Sequence, residues 1–201
     1  MKKLIYLLVA VSAAWLSSCQ KDVSVAPESK SPASTTAVTP ITSSLAPGNT
    51  AANDTIVNTT GYIKLELKKD AVNSDQILLY FTPQSSPSYV PGEDAPYLQG
   101  FGRESLSSLS SDGIPLAVNV LPLKRRGDCI KLDVHAKSTA VYKLSLIQRD
   151  SIPARYHVWL MDGLKKDSLD LSVHCGYYFD LTTTDTTTFG QNRFLVKVRP
   201  Q

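Results

Sequence analysis

The sequence predicts an all-β domain, an antiparallel β-sandwich of about ten short strands carried at the end of a polar tether. Three observations predict it. Between Tyr62 and Arg199, apolar and polar residues alternate in run after run. Turn-forming compositions rich in Gly, Pro, Asp and Ser separate those runs. No apolar pattern of helical period persists for more than two turns.

The strands can be justified in order. Ile63, Leu65 and Leu67 alternate with Lys64, Glu66 and Lys68, the signature of a sheet with one buried face. Ile77 to Phe81 is a denser apolar run. Leu116, Val118 and Val120 alternate again, as do Ile130, Leu132 and Val134 against Lys131, Asp133 and His135. Tyr142, Leu144 and Leu146 form another set. Val158 and Leu160, Leu169 and Leu171, Tyr178 to Leu181, and Phe194 to Val198 complete the series. Residues 83–92, 110–113, 125–127, 150–153 and 182–190 have the composition of loops.

The first residues point to export. Lys2 and Lys3 precede an uncharged run from Leu4 to Leu16, and small residues follow, the order of a secretory signal. The run is too short for the ~20 residues that span a bilayer. Leu16-Ser17-Ser18-Cys19 resembles a bacterial lipobox. The resemblance implies cleavage before Cys19 and acylation of its thiol, the nucleophile from which a thioether is made. Residues 1–18 would then be a signal peptide. The membrane becomes a partner through acyl chains such as palmitate, each buried methylene contributing about 0.8 kcal/mol. Gln20-Lys21-Asp22 resembles the charge-bearing export signal that sends lipoproteins to the cell surface in bacteria with type IX secretion; polar linker residues would read the same way. The expected location is the outer membrane, lipid-anchored and facing the cell surface or the periplasm.

Residues 20–61 contain no Phe, Trp or Tyr and carry Pro27, Pro32, Pro40 and Pro47 among many Ser, Thr and Ala residues. So little apolar surface cannot offset the cost of chain ordering, so 19–61 reads as a lipid-anchored disordered stalk. A coil of that length spans roughly 35 Å. Residues 62–201 then form the folded domain, long enough to bury about two-thirds of its unfolded surface. Removal of Lys2 and Lys3 leaves 19 basic against 18 acidic residues. Such a balance offers no electrostatic basis for a nucleic-acid partner.

A longer succession of residues carries a resemblance. Asp94-Ala95-Pro96-Tyr97-Leu98 is followed by Leu106-Ser107-Ser108-Leu109, Asp112-Gly113, Leu116-Ala117-Val118-Asn119 and Leu121-Pro122. Then come Tyr142-Lys143-Leu144-Ser145-Leu146, Val158-Trp159-Leu160-Met161-Asp162, Asp170-Leu171, Tyr178-Phe179 and Asn192-Arg193-Phe194-Leu195-Val196. This order resembles a β-sandwich accessory domain of surface and secreted proteins from gliding, type IX-secreting bacteria. The resemblance covers roughly Gln76 to Val198 and implies an adhesive or accessory role without catalysis. In those proteins a sorting domain often follows, whereas this sequence ends at Gln201.

Candidate chemistry is sparse. His135, His157 and His174 lack the spacing of a zinc motif, and no nucleophile elbow or phosphate-binding glycine loop is present. Catalytic residues, metals and cofactors are therefore expected to be none. Arg193 opens the last strand and suits a structural ion pair with Asp112 or Asp162. Trp159, Tyr177 and Tyr178 could form an aromatic platform for sugar, but alternating aromatics in strands favour the core, where they are expected. Tyr89, Tyr97 and Arg103 lie in or beside the proline-rich loop, where ligand-facing residues are expected. Cys129 and Cys175 are the remaining thiols; a bridge between them, closing a loop of 46 residues, or two separate buried thiols are the alternatives. Thr55, Ser151, Ser168 and Thr186 follow Asp in the pattern of the O-glycosylation sequon of the same bacteria and are expected in the stalk or in loops. Two functions fit: a noncatalytic surface lipoprotein displaying an adhesive or scaffolding module to another surface protein, or a carbohydrate-binding lipoprotein accessory to polysaccharide uptake or hydrolysis.

Overall fold

The computed structural model describes residues 55–100 and 102–201. The signal segment, Cys19, the Gln20-Lys21-Asp22 sequence and most of the stalk lie outside the described residues.

The described chain is all-β, with a single 3-10 turn at Thr186–Thr188. Its strands are β1 (Gly61–Lys68), β2 (Ser74–Phe81), β3 (Ala95–Pro96), β4 (Glu104–Leu109), β5 (Pro115–Leu121) and β6 (Cys129–Ala136). They continue as β7 (Ala140–Asp150), β8 (Tyr156–Asp162), β9 (Asp167–Asp170), β10 (Tyr177–Leu181) and β11 (Phe194–Pro200). The strands follow one hydrogen-bonded path, β10-β7-β1-β2-β5-β4-β6-β11-β8-β9, with β3 beside β5. The layers expected of a sandwich are thus parts of one sheet that curls into a nearly closed, barrel-like shape. Its pairs are antiparallel except β2–β5, which runs parallel from Leu78↔Val118 to Phe81↔Leu121.

Alternation explains why these segments are strands. In β1, Ile63, Leu65 and Leu67 are at most 1% exposed, while Lys64, Glu66 and Lys68 face outward. Leu132 and Val134 in β6, Val158 and Leu160 in β8, and Val196 and Val198 in β11 repeat the pattern. The core lies inside the curl, where each inward side chain meets residues from strands across it.

The curl is closed by side chains. β10 begins the path and β8 and β9 end it, with no ladder joining them. Across this seam the Phe179 and Phe194 ring centroids lie 4.7 Å apart, and Tyr177 meets Phe194 edge-on at 6.3 Å. The Tyr177 hydroxyl donates to Asp162 Oδ2 at 3.1 Å, and Arg193 Nη1 donates to the Asp180 carbonyl at 2.8 Å. The β5–β6 turn uses Gly127 at φ +79, where a Cβ would come within 2.7 Å of both the Arg199 Cβ and the Val198 carbonyl oxygen.

Several expectations change. Order reaches back past Tyr62: the Val57 amide donates to the Leu123 carbonyl at 2.7 Å, and the Thr55 carbonyl accepts from Arg125 at 2.9 Å. Thr55 is therefore pinned to the domain and is not stalk. Ser168 sits on β9, paired with Met161, and not in a loop. Ser151 occupies the β7–β8 turn at φ 56, and Thr186 opens the 3-10 turn; all four candidate glycosylation positions are exposed. Cys129 is a free, exposed thiol, so the bridge to Cys175 is not made. The reason is geometric. Cys129 opens β6 opposite Lys197 with its side chain on the outer phase, whereas Cys175 lies in the β9–β10 connection beyond β8.

Candidate functional site

The outer face of β4 and β6 carries a groove of about 450 Å³, within the ~300–1,000 Å³ common for small-molecule sites. The ladder explains its floor. Ser105 stands opposite His135, and Ser107 opposite Asp133. Leu106, Leu132 and Val134 occupy the alternate phase and are fully buried, so strand period 2 turns this polar set outward. All four residues stand in the β4–β6 ladder.

Tyr97, Gln99, Gly102 and Arg103 supply the wall. The Tyr97 amide donates to the Pro115 carbonyl at 2.8 Å. Its hydroxyl donates to Asp75 Oδ2 at 2.9 Å, and the same oxygen accepts the Leu106 amide at 2.8 Å. Asp75 thus ties the loop to β4. Burial pushes the Tyr97 phenol above its ordinary value; a hydrogen bond from Ser105 opposes the rise and the Asp75 carboxylate adds to it. Tyr97 is therefore a neutral donor whose hydroxyl is turned back to Asp75, leaving its ring body to line the groove. The Lys137 amide donates to the Arg103 carbonyl at 2.9 Å, which sets these two cationic residues side by side at the rim. Neither side chain has an ion-pair partner among the described residues.

Asp133 is the buried anion of the groove, 8% exposed. Gln191 Nε2 donates to its Oδ2 at 3.3 Å. Its Oδ1 lies 2.7 Å from His135 Nε2, yet it has no aligned donor. The contact lacks the alignment of a hydrogen bond and becomes an ion pair when His135 is protonated; Oδ1 is closed off from solvent beside the ring, and Oδ2, with its single long bond, is the oxygen that keeps acceptor capacity. The His135 ring meets Phe189 edge-on at 5.5 Å and stays half exposed. The set contains a Ser, a His and an Asp, but Asp133 approaches Nε2, and no bond joins Ser105 to His135 among the described residues. The arrangement suits recognition: a buried acceptor and hydroxyls below, cations at the rim and an aromatic wall.

The residues singled out by sequence separate here. Tyr97 and Arg103 line the groove. Tyr89 does not; its amide donates to Asp112 Oδ1 at 3.0 Å in the next loop. Trp159 is not core. It lies half-buried on the outer phase of β8, opposite Lys197 and Asp170, with the Arg199 guanidinium 5.0 Å over its ring. Tyr177 is buried, whereas Tyr178 is 63% exposed on β10 with Lys143 Nζ 5.5 Å over its ring. Arg193 pairs with Asp162 at 3.0 Å, the other acid, Asp112, being engaged with Tyr89. His157 hydrogen-bonds Asp170, and His174 is exposed in the β9–β10 connection. No group of three or more His, Cys, Asp or Glu residues suited to a metal occurs among the described residues. No helix among them is long and apolar enough to cross a membrane.

Ser105, Ser107, Asp133, His135 and Lys137 were not anticipated as site residues. Their only signal in the sequence is that Asp133 and His135 share the polar phase of one strand. A second opening of about 410 Å³ lies beside Cys129, but its Lys124 and Asp128 already pair at 2.6 Å.

No family model, curated protein or solved structure matches the chain.

Proposed function

We propose that this protein is a noncatalytic lipoprotein of the outer membrane that displays its β-domain on a stalk and binds a surface partner or glycan through the β4–β6 groove. The observation that carries the reading is Asp133: a buried carboxylate on the floor of the groove whose Oδ2 is held by one long hydrogen bond, with two rim cations that have no ion-pair partner among the described residues. Folding alone gives little reason to keep such a group, since a buried acceptor short of donors costs roughly 1–3 kcal/mol. A ligand that donates to it would meet that deficit. The lipid anchor is supported by Leu16-Ser17-Ser18-Cys19, and the accessory role by the resemblance to sandwich modules of gliding bacteria.

The reading is tested with cells displaying the full chain, or the Tyr97→Ala/Arg103→Ala double variant, in adhesion and aggregation assays. Attachment is expected to fall about tenfold or more, while the melting temperature drops by no more than a few degrees, because Arg103 is exposed and Tyr97 half-buried. Unchanged attachment overturns the assignment of the groove. Hydrolytic turnover abolished by His135→Ala overturns the noncatalytic role.

A further inference from the structure

The chemistry of the groove restricts the ligand more narrowly than adhesion requires. We infer that it binds an acidic saccharide, a sugar ring bearing a carboxylate or sulfate. This rests on the groove being a binding site, as proposed above.

Each wall excludes some ligands. Asp133 Oδ2 is held only by Gln191 at 3.3 Å and keeps room for a donor, Oδ1 being closed off beside His135 Nε2. A ligand that is purely anionic and lacks donors, such as inorganic sulfate, would bring nothing to this carboxylate and would set like charges together. In the same groove, Arg103 and Lys137 are exposed cations without an ion-pair partner among the described residues, brought together by the 2.9 Å bond between their backbones. A neutral or cationic ligand would gain nothing from either of these exposed charges. Both demands are met by one molecule that carries hydroxyl donors at one end and an acid at the other. The floor adds the hydroxyls of Ser105, which donates to Tyr97 and keeps its acceptor side, and of Ser107. The Tyr97 ring adds an apolar face, its hydroxyl being committed to Asp75. A pyranose alternates an apolar C–H face with a hydroxyl rim, and a uronic acid adds the carboxylate, for which an Arg fork is the matched partner. A small neutral amino acid meets the charges but leaves the ring wall and the serine hydroxyls without partners.

Three ligands separate the outcomes when titrated calorimetrically into the full chain: a galacturonic-acid tetramer, a neutral galactose oligomer of the same length, and inorganic sulfate. The tetramer is expected to bind at least tenfold more tightly than either of the others. Asp133→Asn, which keeps the shape of the floor, should weaken the tetramer about tenfold or more, because a charged acceptor is replaced by a neutral one. The Arg103→Ala/Lys137→Ala variant should lose the preference for acidic over neutral sugar. Both variants are first shown to melt within a few degrees of the wild type, so that lost binding is not lost folding. Sulfate binding as tightly as the tetramer reduces the groove to an anion site and overturns the inference. So does equal binding of the neutral oligomer. No binding of any of the three overturns the ligand class while leaving the noncatalytic reading standing. New reducing ends appearing during the titration would support the ligand class and remove the noncatalytic reading instead.

Discussion

Asp162→Ala is expected to lower the melting temperature by roughly 6–20 °C, from a loss of about 3–5 kcal/mol at ~2–4 °C per kcal/mol for a domain of this size. Arg193 and Asp162 are 3% and 2% exposed. Arg193 Nη2 lies 3.0 Å from Asp162 Oδ2, and Nε lies 3.3 Å from each carboxylate oxygen. The guanidinium sits 4.7 Å from the ring centroids of both Phe179 and Phe194, and it also bonds the carbonyls of Asp180 and Thr188. Removing the carboxylate strands a charge that water cannot reach. It also frees the Leu164 and Lys165 amides and the Tyr177 hydroxyl, which all donate to Asp162. Replacing both partners together, Asp162→Leu with Arg193→Met, should cost less than Asp162→Ala alone, since no unpaired charge remains.

The same pair sets an acid limit. Burial raises the Asp162 carboxyl, but the hydrogen bonds and charge of Arg193 and the Lys165 and Leu164 amides outweigh it and hold the value below 3.8. A depressed folded value means the contribution is complete above the unfolded value and is lost as pH falls through the folded one. Stability of the wild type should therefore decline below about pH 4, and Asp162→Asn should remove that part of the decline. Thermal melts of both chains across that range check it.

Phe194→Ala is the second large effect, about 3–5 kcal/mol. Phe194 is 0% exposed and touches Tyr177, Phe179 and the Arg193 guanidinium at the seam where β10 meets β11 and β8 without a ladder. Elsewhere backbone bonds hold neighbouring strands; here packed rings do, so a cavity should loosen closure of the curl. Lys197→Ala, on the outer phase of the same strand, should stay within about 0.5 kcal/mol. Because Phe194 and Asp162 share Arg193, their combined loss should not be additive. Denaturant titration of the single and double variants decides it: similar costs for Phe194→Ala and Lys197→Ala would refute side-chain closure of the seam.

How far the sequence carried depended on period and on distance along the chain. β1, β6, β7, β8 and β11 were legible because one face of each is apolar and the alternation is clean. β4 was not, since its inward phase holds Glu104 and Ser108 beside Leu106 and imitates a loop. The parallel β2–β5 pair joins strands far apart in sequence, and no local pattern encodes it. The partner of Arg193 was narrowed to two acids. Topology chose Asp162, because it stands directly opposite Phe194 in the β8–β11 ladder. The groove was half legible. Tyr97 and Arg103 have loop composition, but only the β4–β6 ladder brings Asp133 and His135 beneath them. Cys129 and Cys175 show the converse: cysteines that could pair by composition need not be neighbours in the fold, and Cys129 stays a free thiol.

Recognition at the β4–β6 face is tested most directly by following the backbone amide resonances of the full chain while the galacturonic-acid tetramer is added. Shifts are predicted at Tyr97, Arg103, Ser105, Ser107, Asp133 and His135, with β8 and β9 unmoved. Shifts clustered around Trp159 and Arg199, or none at saturating sugar, would contradict it.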